Sequence, residues 1–340
     1  MRLVTTRRVN THSQPRWGTT CGFVLILLFA ACTSPARSPN GPFAATAGLY
    51  VDPTSSAKKW VTRHPDDPRA DIIARNIASK PMAKWFAGTA SAVTADVDRY
   101  VSAAAAVGRL PVLVAYNIPR RDCGGDSAGG LSTSAEYRAW IRAFAAGLGD
   151  RPALVVLEPD ALLLLDCLSR SDARQRIALL ADALSVLRTD APGTWTYLDA
   201  GDGSATPVET MADRLTWTGV ATARGIALNV SNFNRVEDVV SYGNRLRALL
   251  DPDQASGGTA PPALLIDVSR SGSGPGDSYC NPPGRRLGAD PKPGGTLLGV
   301  DALLWVKPPG ESDGNCGIGL GTQSGDFVPG LAMALIDGSA

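Results

Sequence analysis

Residues 153–160 read ALVVLEPD, and the apolar run resumes as ALLLLDCL to residue 168. A stretch this greasy is built for burial, yet it carries Glu158, Pro159 and Asp160 in its middle. Similar short runs recur along the chain: GLYVD (48–52), KWFAG (84–88), LPVLVAYNI (110–118), TWTYLDAG (194–201), IALNVSNF (226–233), ALLIDVSR (263–270) and LLWVKP (303–308). Amphipathic stretches separate them, among them TADVDRYVSAAAAVG, SAEYRAWIRAFAAGLG, SDARQRIALLADALSVL and RVEDVVSYGNRLRALL. Continuous apolar strands alternating with helices indicate a parallel sheet covered on both faces. Seven or eight such units in one chain point to an α/β fold, a distorted parallel (β/α) barrel of seven to eight strands forming a single domain over 48–340. The irregular segment 271–296, rich in Gly and Pro, is expected as a loop over the barrel mouth.

In a barrel of this kind, Glu158 and Asp160 emerge at the C-terminal end of their strand, where barrel enzymes place their chemistry. The other runs end alike: Asp52, Asn117 and Asp122, Asp199, Asn229 and Asn232, Asp267, then Lys307, Glu311 and Asp313. Any one Asp could simply cap the following helix. A whole ring of carboxylates is costly, because crowded like charges raise one another's pKa. Absent residues narrow the chemistry further. The only histidines are His12 and His64, which leaves no basis for a Ser-His-Asp triad or a His-ligated metal. No phosphate-binding GxxxxGK[ST] occurs, and a net charge of +1 gives no basic field for nucleic acid. Carboxylate chemistry without a cofactor remains. Glycoside hydrolysis needs a protonated acid for the leaving oxygen and a second carboxylate to activate water or attack.

The N-terminus reads as an address. Arg2, Arg7, Arg8 and Arg16 precede CGFVLILLFAAC (21–32), the pattern of a signal peptide. Leu28–Cys32 also has the form of a lipobox, so Cys32 is a candidate for lipidation and membrane attachment; an uncleaved anchor is the other alternative. Residues 33–47 read as a Pro/Ser/Ala linker. Export leaves Cys123, Cys167, Cys280 and Cys316 in the mature chain, and four cysteines in an oxidising compartment are expected as two disulfides. Zinc is the competing reading, but no CxxC spacing supports it.

The motifs YNIPRRDCGG (116–125), VVLEPDAL (155–162), YLDAG (197–201), NVSNF (229–233), DVSRSG (267–272), YCNPPGR (279–285) and WVKPPGESDG (305–314) resemble glycoside hydrolase family 6, the inverting cellulases. The resemblance spans about residues 48–337 and keeps the family's motif order. It implies that Asp160 is the general acid, that Asp122 is the neighbour raising its pKa, and that Asp313 is the base. It also implies substrate contacts from Tyr116, Asp199, Asn229, Tyr279, Lys307 and Glu311, with Trp85 as an aromatic platform. The disulfides it implies are Cys123–Cys167 and Cys280–Cys316. On this reading the protein is a secreted monomer acting on β-1,4-glucan, with no cofactor, metal or nucleic-acid partner.

The chain departs from the family pattern in three places. Asp202 stands where His is usual and the following Trp is missing; Tyr279 replaces a stacking Trp; and the serine near the attacking water aligns with Ser127 or Ala128. The short segments after Asp202 and Asp313 leave little chain for a roof, so endo-cleavage in an open cleft is expected. The alternatives are exo-action beneath residues 271–296, a carbohydrate-binding relic that hydrolyses poorly, and an unrelated acidic-rimmed barrel using a divalent cation.

Overall fold

The computed structural model describes residues 41–251 and 261–339. The leader, Cys32 and the linker up to residue 40 lie outside the described residues. The strands are β1 (Lys84–Phe86), β2 (Val112–Ala115), β3 (Ala153–Leu157), β4 (Thr194–Asp199), β5 (Gly225–Leu228), β6 (Ala263–Asp267), β7 (Lys292–Pro293) and β8 (Val300–Leu304). They form one sheet in the order β1-β2-β3-β4-β5-β6-β8-β7, parallel except for β7. The helices are α1 (Ser56–Arg63), α2 (Ala70–Ile73), α3 (Ala90–Ala106), α4 (Ser134–Leu148), α5 (Arg170–Asp190), α6 (Val208–Trp217), α7 (Val236–Leu250) and α8 (Pro329–Asp337).

Strand parity explains why the sheet curls. Val112, Val114, Leu154, Val156, Trp195, Tyr197, Ala227, Leu265, Ala302 and Leu304 point to one side and pack together as the barrel interior. The alternate residues, such as Leu113, Val155, Leu198, Ile226 and Ile266, pack outward with the helices. Both faces of each strand are therefore removed from water, which is why the runs are apolar without alternation. The curl nearly closes: Ala83 N–H donates to the carbonyl of Trp305 just past β8, at 2.9 Å. Helices α3 and α4 approach closely at Gly147, where an added Cβ would lie 2.7 Å from the carbonyl of Thr94.

Three sequence expectations change in detail. Residues 48–52 pair with the chain only through a Leu49–Leu110 bridge, so the run is a flank of β2 and not a full strand. Residues 271–296 do not all cover the mouth. Leu287 N–H bonds to Leu335 in α8, Ala289 accepts from the Trp305 indole, and residues 292–293 descend along β8 as an antiparallel edge. Pro293 suits an edge, since it has no N–H to donate to a ladder. Residues 41–47, which composition places in the linker, lie against the barrel: Pro42 is buried and Phe43 packs on the interior cluster. Among the described residues no helix is long and apolar enough to cross a membrane.

Candidate active site

The inward parity of each strand continues one step past its apolar part, and there the residues turn polar. Tyr116 follows Val114, Glu158 follows Val156, Asp199 follows Tyr197, Asn229 follows Ala227 and Asp267 follows Leu265. All five are buried. The turns that carry them use left-handed backbone at Asp122 (φ 57°), Glu158 (45°), Asp160 (66°) and Asn229 (63°), an uncommon conformation outside glycine that marks a site held by its surroundings.

Glu158 and Asp160 divide the work. The Glu158 carboxylate accepts the N–H groups of Asn117 (3.0 Å to each oxygen) and Ile118 (3.1 Å), tying the end of β2 to the turn after β3. Its burial is complete, and this pushes its pKa up to about 7 despite those bonds. Asp160, two residues on, keeps part of its surface in solvent. Burial raises its pKa to about 7, with further push from the charges of Asp122 and Asp202. Asp199 lies beneath it and accepts Asp160 N–H at 3.0 Å. Burial and the charge of Asp160 raise Asp199 well above the carboxylate range, and its second oxygen has no hydrogen-bond partner among the described residues.

Asp122 sits on the other side, on the loop after β2, and accepts Ser127 N–H at 2.7 Å. Ser127 is thus the residue at that carboxylate, in place of Ala128, and its hydroxyl meets Ser324 at 2.7 Å. The Cys123–Cys167 disulfide joins this loop to the one after Asp160. Two buried arginines brace the same loops. Arg176 of α5 donates to the carbonyls of Pro119 (3.1 Å) and Arg120 (2.7 Å), and Arg214 of α6 to Leu162 (2.8 Å) and to both oxygens of Asp166 (2.7 Å each).

Asp313 belongs to a different electrostatic group. It pairs with Arg270 at 2.7 Å and Lys307 at 3.2 Å, and accepts Asn281 N–H at 3.0 Å. Burial pushes its pKa up, but the two cations outweigh this and hold it below the usual range. Arg270 is itself fixed with its guanidinium 4.1 Å from the Phe233 ring centre. The Cys280–Cys316 disulfide clips the two loops that meet at Asp313. Lys307 N–H donates to Asp267, which also accepts from Ser231, Ser269 and Val306 and so joins three loops.

The sugar-contact residues expected from the sequence divide by exposure. Trp85 meets Tyr116 edge-on at 5.0 Å and donates its indole N–H to Val306 at 2.8 Å. It lines an open cleft of about 570 Å³ together with Glu311 and Trp60. Burial raises the pKa of Glu311, which accepts the Ser56 hydroxyl at 2.7 Å. Asn229 is fully buried, and its amide donates to the carbonyl of Asp267 at 2.8 Å. Tyr279 is 72% exposed, on the loop before Cys280. Arg176 and Arg214 carry no motif signal for a place at this rim, and Arg270 has only its position inside DVSRSG.

Among the described residues the one grouping of metal-ligating types is Asp126 with Cys280 and Cys316. Those sulfurs form a disulfide and offer no thiolate.

Residues 44–329 match the family described as Glycosyl hydrolases family 6. The chain is 42% identical over 315 residues to Endoglucanase 1 of Streptomyces halstedii, covering 92% of this chain and 95% of that protein. It is 40% identical to Endoglucanase A of Thermobispora bispora, covering 93% of this chain and 66% of that protein. The solved structure of the endoglucanase Cel6 from Mycobacterium tuberculosis, in complex with methyl-cellobiosyl-4-deoxy-4-thio-β-D-cellobioside, superposes with a TM-score of 0.79 at 38% identity, covering 87% of this chain and 98% of that one. The sheet, the paired carboxyls at its rim and these relatives agree: the chain belongs to glycosyl hydrolase family 6 and is a glycoside hydrolase.

Proposed function

We propose that the protein is an exported endo-β-1,4-glucanase that cleaves its polymer with inversion, with Asp160 as the proton donor. The observation that carries this reading is Asp160 itself, a partly exposed carboxyl at the rim of the sheet, its pKa pushed up to about 7 by burial and by the neighbouring charge of Asp122. A carboxyl in that state still holds its proton where an ordinary one has lost it, as a general acid must. The proton goes to the leaving glycosidic oxygen while a water adds to the anomeric carbon from the opposite face. The proton that this water sheds is taken by the carboxylate of Asp122, which the Ser127 N–H holds in place, and passes from there to solvent. Asp313, kept ionised by Arg270 and Lys307, is a poor proton acceptor; its charge holds those two cations and the Asn281 loop in place beside the site. Tyr116 and Trp85 supply apolar and aromatic surface beside the reacting sugar, and Lys307 and Glu311 its polar contacts. Endo-action is supported by segment 271–296, part of which runs down the barrel wall, and by the names of the relatives. Export is supported by the two disulfides. The described residues carry no argument for a lipid on Cys32, and export alone is proposed.

One incubation with a soluble β-1,4-glucan tests the reading. Viscosity should drop well before reducing ends accumulate, and early NMR spectra should show the α-anomer first. A viscosity that falls only in step with cellobiose release means exo-action. A β-anomer first means a covalent intermediate, and no new reducing ends means a binding protein.

A further inference from the structure

The cleft that holds Trp85 and Glu311 does not stop at them. Its far wall is one face of α1 and the residue that caps it: Lys59, Trp60 and Arg63 fall at helical spacing, His64 follows, and all four line the same 570 Å³ space. The wall is aromatic and fixed. His64 stacks on Trp60 with ring centres 4.9 Å apart and planes within 19°, and its Nδ1 lies 2.9 Å from the Trp60 carbonyl.

The charges of this end do not cancel. Asp52 faces Lys84 at 3.7 Å and accepts both the N–H and the hydroxyl of Thr54, each at 2.7 Å. Glu311 is bonded by Ser56 and is biased by burial toward its neutral form. The acids that line this space are therefore engaged or muted. Lys59 and Arg63 are exposed, one turn apart, and make no ion pair among the described residues. An aromatic wall with two free cations suits a ring that carries a negative group.

We infer that this face of α1 is an additional sugar subsite, beyond Trp85, that favours a glucan unit bearing a carboxylate. The inference rests on the glucanase reading above for the identity of the polymer. It adds that the chain discriminates by charge as well as by linkage.

Affinity electrophoresis of the Asp160→Asn variant, which should leave the polymer intact, tests it in gels holding either carboxymethylcellulose or neutral hydroxyethylcellulose. The Lys59→Ala/Arg63→Ala change, made in that background, should lower the preference for the carboxymethyl polymer by roughly fivefold at low salt, the scale of two exposed ion pairs. The preference of the parent should shrink likewise at about 0.5 M salt, as screening requires. Equal thermal midpoints of parent and variant would exclude a folding defect. An unchanged preference, or a parent that prefers the neutral polymer or binds neither, overturns the inference. Release of reducing ends from hydroxyethylcellulose by the wild-type protein reports separately on the glucanase reading.

Discussion

At Asp160, burial and the charges of Asp122 and Asp202 act in one direction: each favours the protonated form. Replacement by Asn removes the proton that the leaving oxygen needs. Asp160→Asn should lower kcat on unactivated glucan by roughly 10²–10⁴-fold, yet spare much of the rate on a dinitrophenyl cellobioside, whose leaving group needs no proton; equal losses on both substrates would remove Asp160 from the donor role. Asp202 permits a finer test, because it stands where the family has His. Its carboxylate is anchored by Ser204 N–H at 2.9 Å and Asn234 Nδ2 at 2.9 Å, and Asn can keep the Ser204 contact. Asp202→Asn removes a negative charge near the acid, so the alkaline limb of kcat/KM should move to lower pH while the fold is kept. A limb that stays in place, or moves up, would show that Asp202 does not act on Asp160. The acids of the rim were legible because strand parity carries them past the apolar residues. Arg270 was not, since an Arg three residues past a strand end reads as solvated until Phe233 and Asp313 are seen around it.

Helices α5 and α6 do more than cover the sheet. Arg176 and Arg214 reach from them into the rim and satisfy carbonyls of the loops that carry Asp122 and Asp160. Removing Arg214 leaves the buried Leu162 carbonyl unpaired, at a cost of about 1–3 kcal/mol; the Pro119 and Arg120 carbonyls held by Arg176 are part-buried, and their loss costs less. Arg176→Met keeps the apolar stem and deletes the donors, so the loops should lose their mutual register. We expect kcat to fall severalfold with KM changed less, and cleavage of the 123–167 loops by protease to quicken. A variant with wild-type kcat and lowered stability alone would make Arg176 a packing residue only. The helical stretches themselves were plain from their spacing: α4 occupies Ser134–Leu148 and α7 Val236–Leu250, close to the periodic runs. What periodicity could not reveal was tertiary. An Arg in the middle of an amphipathic helix looks exposed, and a two-residue edge such as β7 has no pattern to read. The flank at 48–52 looks like a strand, yet its one ladder partner among the described residues is Leu110.

The barrel as a whole stores several carboxyls at its rim under conditions that favour their neutral forms, and stability must answer to pH accordingly. Glu158 and Asp160 rise from ordinary values of 4.5 and 3.8 to about 7, and Asp199, Asp267 and Glu311 are pushed in the same direction. For each of these the folded protein binds its proton more tightly than the unfolded chain does. The stability this gives is fully present below the unfolded pKa and is lost as pH rises through the folded one. Asp313, lowered by Arg270 and Lys307, contributes in the opposite sense and loses its share only as pH falls through its own low pKa. The raised group is the larger, so between about pH 4 and 7 the net slope is downward. A thermal or urea midpoint measured at pH 5 should therefore exceed that at pH 7.5. The difference should narrow in Glu158→Gln, where the buried group no longer titrates but an oxygen still faces Asn117 and Ile118. A midpoint that climbs from pH 5 to 7.5, or a Glu158→Gln variant with an undiminished slope, would mean that the rim is solvated enough to ionise freely, and the raised pKa of Asp160 would lose its physical basis.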